Sequence, residues 1–246
     1  EYHQAARWIL GDRNLSQSLP PERIWAGIAN CSGQMALLPL AALSPDSPEQ
    51  AYQQAFLLSF LDTGQAKDIN CSIVAGLSAA IGASHERPQD RWQAAIRAMR
   101  ETDPYRYGDV PFARRPTLEW LDFAVQAADD AKGCAADLYR TLESRGRPKY
   151  YWDAHFTFTT AWAFLHFAEY DPEKAMLVSL AFGHDTDSTA QLVGAFCGAI
   201  YGPNIFPKET KTAVRERLQD DYGESVEEWS ETLARLRRTP LENPKP

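Results

Sequence analysis

The chain has 246 residues, 44% hydrophobic and 24% charged, the balance of one large globular domain that folds without disulfide staples. Lys and Arg number 25 against 33 Asp and Glu, a formal charge of −8 that argues against gripping a nucleic-acid backbone or an anionic membrane. No apolar run reaches the about 18 residues of a membrane helix, and the opening Glu1-Tyr-His-Gln-Ala-Ala-Arg7 lacks a basic-then-apolar leader.

Cys31, Cys71, Cys134 and Cys197 are spaced 40, 63 and 63 residues apart, with no Cys-x-x-Cys pair. They are read as buried free thiols of a reducing compartment, and the chain as cytoplasmic.

Apolar positions recur at three and four over most of the sequence, so the predicted class is all-α. The expected domain is single and spans 1–240, with a disordered tail at 241–246. In chain order, a non-helical patch at 11–34 precedes helices at 49–60, opened by Ser47-Pro48-Glu49, then 67–82 and 88–100. A second patch at 102–116 leads through Arg115-Pro116 into helices at 116–131 and 134–145. Helices follow at 152–169 and, opened by Asp171-Pro172, at 171–182. After a hinge at 182–188 come helices at 187–201, 208–221 and 225–238, the last with a capping box at Ser225-Val-Glu-Glu228.

Chemistry concentrates at the hinge. Asp185-Thr-Asp-Ser-Thr189 sets two carboxylates and three hydroxyls just before an apolar helix, the oxygen donors that a hard divalent cation takes. The plain alternative is that Asp187 caps the helix. A calcium loop starting at Asp185 needs Gly at its sixth position and Glu at its twelfth, and finds Ala190 and Phe196. The nucleophile loop of haloacid-dehalogenase phosphatases has a similar Asp-x-Asp-x-Thr, but needs alternating strands that this chain lacks. Ala190, Gly194, Gly198 and Gly202 then recur every four residues, a stripe that predicts close approach by another helix.

Gly183-His-Asp-Thr-Asp-Ser-Thr-Ala-Gln-Leu-Val-Gly-Ala-Phe-Cys-Gly-Ala-Ile-Tyr-Gly202 resembles the C-terminal signature of the ADP-ribosylglycohydrolase family. Asn30-Cys-Ser-Gly-Gln-Met-Ala-Leu-Leu-Pro39 resembles the family's Asn-Gly-Ser-x-Met segment, and Asp62-Thr-Gly-Gln-Ala-Lys-Asp68 a loop of one of its branches. The resemblance runs from about residue 20 to about 230. It implies a compact orthogonal helical bundle with two bridged magnesium ions, cleaving the glycosidic bond at the anomeric carbon of ADP-ribose.

The resemblance gives Asp185, Asp187 and Ser188 as metal ligands. Asn30, Ser32, Gly33 and Met35 match the pocket loop, with Asp62 and Gly64 as further substrate contacts and His184 on the rim. The family's Gly-Asp-Ala-x-Gly start, its catalytic Glu and its Thr-Asp-Asp metal cluster do not occur here, and Cys31 stands where the family has Gly. The catalytic residue is therefore not identified in this sequence, and the chain is expected to be part of a longer protein. The implied partner is ADP-ribose or an ADP-ribosylated molecule. The other expectation is a binding or structural member of the family without turnover.

Two further groups stand out. Tyr105, Tyr107, Phe112, Arg114 and Arg115 offer rings and charge for adenine and phosphate, or else pin a surface loop. His155 and His166, eleven residues apart on one helical face, are expected to be structural.

Overall fold

A computed structural model describes residues 1–84, 86–146 and 150–238 of the chain, and the expected tail at 241–246 lies outside them. Every regular element among the described residues is helical. The α-helices are α1 Tyr2–Ile9, α2 Ser32–Ala36, α3 Pro48–Leu58, α4 Gln65–Gly82, α5 Pro88–Glu101, α6 Pro116–Asp130 and α7 Ala135–Thr141. They continue as α8 Ala154–Phe167, α9 Pro172–Phe182, α10 Thr186–Tyr201, α11 Lys208–Tyr222 and α12 Val226–Arg238.

The starts follow local chemistry. Pro48, Pro88, Pro116 and Pro172 sit in the first turn, where a missing N–H costs nothing. Asp171 accepts from Lys174 N at 2.8 Å, and Asp153 from His155 N at 3.3 Å. Ser225 Oγ accepts from Glu228 N at 3.3 Å, so the serine half of the expected capping box forms.

The patch at 11–34 differs from expectation, because it holds a 3₁₀ segment at Pro21–Gly27 and the start of α2. Helix α1 was also unforeseen, although Tyr2, Ala5, Ala6 and Ile9 carry its spacing.

Helices α4 and α8 form the centre. Residues Asp68–Ala80 of α4 and Ala154–Leu165 of α8 are buried on every face, as in helices that are surrounded rather than laid on a surface. Helix α4 packs on α3 and α5, α8 on α6, α9 and α10, and α4 and α8 on each other. Trp162 meets Trp92 and Phe196 edge to face, at centroid separations of 6.0 and 4.9 Å. Arg91 joins two helix ends, donating to Ala80 O at 3.1 Å and to Ala199 O and Ile200 O. No residue of α11 is buried. No described helix is long and apolar enough to cross a membrane.

Two expectations are corrected by this packing. The glycine stripe of α10 does not receive a close helix. A Cβ on Gly194 would meet Met176 at an ordinary 3.6 Å, and on Gly198 or Gly202 nothing within 4 Å. The opposite face of α10, with Leu192, Val193, Phe196 and Ile200, carries the burial instead. Close approach occurs on α4, where a Cβ at Gly76 would lie 2.7 Å from Met99 Cγ and 3.2 Å from Ala95 O of α5.

The cysteines also divide. Cys31, Cys71 and Cys197 are buried free thiols, while Cys134 at the start of α7 is exposed.

Candidate functional site

The site begins with the turn that opens α2. Asn30 Oδ1 accepts from Ser32 N at 2.8 Å while Asn30 Nδ2 donates to Ile28 O at 3.0 Å, so a buried side chain shapes its own loop. Cys31 N donates to Trp152 O at 2.9 Å, and Gln34 Nε2 to Ala154 O at 2.6 Å, fastening α2 to the start of α8. From the other side, Gln191 Nε2 of α10 donates to Met35 O at 3.1 Å.

These ties place the first turn of α10 against α2, with a cleft of about 620 Å³ between them. Asp185, Asp187 and Ser188 form one wall, and Cys31, Ser32 and Met35 the other. Trp152 and the α1 residues Tyr2 and His3 close the ends. A hollow of about 590 Å³ between α9 and α11 gathers Met176, Leu177, Ile205 and Phe206, with no pair of carboxylates. Chemistry rather than size therefore distinguishes the cleft.

The carboxylates at the head of α10 are not spent on capping. Asp185 occupies the N-cap position without a side-chain cap bond, and Asp187 falls within the first turn. Burial pushes the Asp185 carboxyl above the ordinary range and neighbouring Asp187 adds to the effect, while Ser188 and Cys31 act in the opposite direction. Cys31 Sγ lies 3.5 Å from Asp185 Oδ2 and 3.6 Å from Ser188 Oγ. Burial pushes its thiol up to about 11. Among the described residues no three His, Cys, Asp or Glu side chains converge to hold a metal. Two carboxylates, a hydroxyl and water fit part of the shell of a single magnesium ion, which keeps several waters in proteins.

The remaining expected residues fall in three places. Gly33 lies beneath the cleft, where a Cβ would stand 2.3 Å from Asp62 Oδ2 and 2.4 Å from Asn70 Nδ2. Asp62 is buried behind Tyr2, whose hydroxyl donates to Asp62 Oδ2 at 3.0 Å. Burial raises the Asp62 carboxyl. Gly33→Ala is accordingly expected to destabilise the chain by about 1–3 kcal/mol through overpacking. A thermal melt checks this, and an unchanged midpoint would remove the close approach from the account.

Gly64 opens α4 at φ 53°, ψ −128°, a backbone conformation that suits glycine. Neither Gly64 nor Asp62 lines the cleft. His184 stacks on Tyr151 at 3.8 Å and pairs with Glu143, turned to the fold's exterior. Tyr105 stacks on Phe56 at 4.0 Å, beside α3 rather than in the cleft.

The loop arginines are engaged elsewhere. Arg114 pairs with Asp122, and Arg115 is buried against Asp68 at 3.0 Å. The buried Arg115 guanidinium ties the loop to the core, as the pinned-loop alternative has it, while Arg114 stays half-exposed at the surface. His155 is held by Asp153 at 2.6 Å and stacked on Trp120, and His166 lies between Asp129 and Tyr170.

Tyr2, His3 and Trp152 are cleft residues that the sequence pattern did not single out. The periodicity of α1 was the available signal for Tyr2, whereas nothing local marks Trp152 as a wall.

Compared with known proteins, residues 1–243 match the family described as ADP-ribosylglycohydrolase, a longer span than the resemblance from about 20 to 230. No curated protein and no solved structure matches the chain. With an all-helical fold, the Asp185-Thr-Asp-Ser188 segment and the Asn30–Met35 loop on one cleft, and a match over nearly its whole length, the chain belongs to the ADP-ribosylglycohydrolase family.

Proposed function

We propose that this chain takes part in magnesium-dependent hydrolysis of the glycosidic bond at the anomeric carbon of ADP-ribosylated molecules. The observation that carries this is the meeting of Asp185, Asp187 and Ser188 with Ser32 across one cleft, although the two groups lie over 150 residues apart. Asp185, Asp187 and Ser188 would hold the cation. Bound there, it would supply positive charge to the ribose hydroxyls and lower the pKa of a water.

The chain's own groups bind and orient. The Ser32 hydroxyl lines the cleft and donates to Glu1 Oε2 at 3.4 Å, a long contact that it can exchange for a ribose or diphosphate oxygen. The Trp152 ring, about a third exposed, offers an apolar face at one end of the cleft. Tyr2 is held by Asp62 from behind, so its ring edge stays in the wall.

A second reading has its own support. The family's catalytic Glu and Thr-Asp-Asp cluster do not occur in this sequence, so a member that binds ADP-ribose without turning it over also fits the cleft. Calorimetric titration of ADP-ribose with magnesium and with chelator, alongside chromatography of ADP-ribose released from ADP-ribosylated protein, separates the two. Magnesium-dependent binding with release supports the hydrolase, and the same binding without release supports the binding protein. Binding unchanged by chelator would remove the cation from the site, and no binding would remove the site itself.

A further inference from the structure

Asp62 stays out of the cleft yet adjoins two of its walls. From α1, Tyr2 Oη donates to Asp62 Oδ2 at 3.0 Å. On the other side, a Cβ at Gly33 would stand 2.3 and 2.7 Å from the two Asp62 oxygens, so the carboxylate lies directly beneath the α2 turn that carries Cys31, Ser32 and Met35 into the cleft. The Asn70 amide of α4 fills the rest of that space, 2.4 Å from the same Cβ position. Burial raises the Asp62 carboxyl, and the Asn70 amide, the Tyr2 hydroxyl, the Lys67 charge and the Gly33 N–H act against it. An ionised carboxylate accepts at both oxygens and can serve donors from α1, α2 and α4 at once, whereas a carboxamide in its place would turn its own N–H groups toward one of them.

Helix α1 has little else to hold it. Ala5 is its one buried residue, packed with Ile24 and Leu61 in a small cluster apart from the main core, while Ile9 and the following Leu10 are exposed. The Tyr2 ring leans on Phe60 at 4.9 Å, and Gln4 O accepts from Leu19 N at 3.2 Å. A helix this short is marginal in water without packing. Yet α1 and the residue before it put Glu1, Tyr2 and His3 on the cleft.

We propose that Asp62 is a positioning residue for ligand binding: by accepting from Tyr2 Oη while supporting Gly33 from beneath, it fixes α1 against the α2 turn, so that affinity for ADP-ribose depends on a carboxylate that does not touch the ligand. This rests on the cleft being the ADP-ribose site, as proposed above. By reciprocity, ADP-ribose held between the two walls tightens α1.

Asp62→Asn, Tyr2→Phe and the double variant of the full chain test this by calorimetry with ADP-ribose and magnesium. Each single variant is expected to bind about tenfold more weakly, and the double variant no more weakly than Asp62→Asn, because both substitutions act on one bond. Hydrogen exchange adds a readout that a bond serving only the fold would not move. Saturating ADP-ribose should slow exchange of the α1 amides in the parent and far less in the variants. Thermal melts establish that the variants are folded.

Affinity within about twofold of the parent in folded Asp62→Asn would overturn the proposal, as would losses that multiply in the double variant. Equal protection of α1 by ADP-ribose in parent and variants would also overturn it and leave Asp62 a support of the fold. Should Asp62→Asn fail to fold, Tyr2→Phe decides by the same two measurements. A parent that binds no ADP-ribose would overturn the proposed function and this role of Asp62 together.

Discussion

The double variant Asp185→Asn with Asp187→Asn is expected to lose magnesium-dependent ADP-ribose binding while melting no lower than the parent. Both side chains line the cleft and neither caps α10, so their charge is available to a ligand rather than to the helix. Asparagine preserves volume and an oxygen but removes the charge that a hard cation requires. Loss of an outer-shell partner alone costs about 10–100-fold in metal affinity, and loss of direct ligands should exceed that. Two neighbouring carboxylates repel in the metal-free chain. Their removal should therefore leave stability unchanged or slightly raised. Calorimetry with and without magnesium, together with a thermal melt, checks both halves. Retained magnesium dependence would move the cation elsewhere, and a collapsed melt would assign the carboxylates to the fold.

Arg115→Met should have the largest effect on stability. Asp68, fully buried on α4, accepts from Arg115 Nε at 3.0 Å, Tyr52 Oη at 2.8 Å, Thr117 Oγ at 2.7 Å and Thr117 N at 3.1 Å. Arg115 also donates to Arg100 O at 3.0 Å, Thr102 O at 2.6 Å and Ser72 Oγ at 2.8 Å. The network joins α3, α4 and the start of α6 to the end of α5.

Removing one partner leaves the Asp68 charge buried and uncompensated, at a cost of about 3–5 kcal/mol. At roughly 2–4 °C per kcal/mol for a domain of this size, the melting midpoint should fall by roughly 10 °C. Adding Asp68→Asn to Arg115→Met should restore part of the loss, because the stranded charge is then gone. A single variant that melts within a degree or two of the parent would show that the pair contributes little. A double variant less stable than either single one would show that the hydrogen bonds, rather than charge balance, hold the network.

Helices were legible because their signals are local. Pro48, Pro88, Pro116 and Pro172 mark starts within a single turn, and Asp153, Asp171 and Ser225 bond to amides two or three residues away. Arg115 was not legible. In sequence it belongs to an aromatic and basic loop, and nothing within that loop reveals a carboxylate waiting 47 residues upstream. The α10 stripe misled for a related reason. Small residues permit close approach but do not compel it, and what occupies the space is decided by helices elsewhere in the chain.

The sequence by itself determined the all-helical class, most helix positions and the donor segment at Asp185–Ser188, since periodicity, caps and ligand chemistry are properties of neighbouring residues. Tertiary structure alone decided that Cys31 touches Asp185 and Ser188, that Tyr2 and Trp152 wall the cleft, and that Asp62 lies behind it. Those contacts join residues up to 157 positions apart. They follow from burying α4 and α8 on all sides, which leaves the heads of α2 and α10 at a shared edge where polar groups can still reach water.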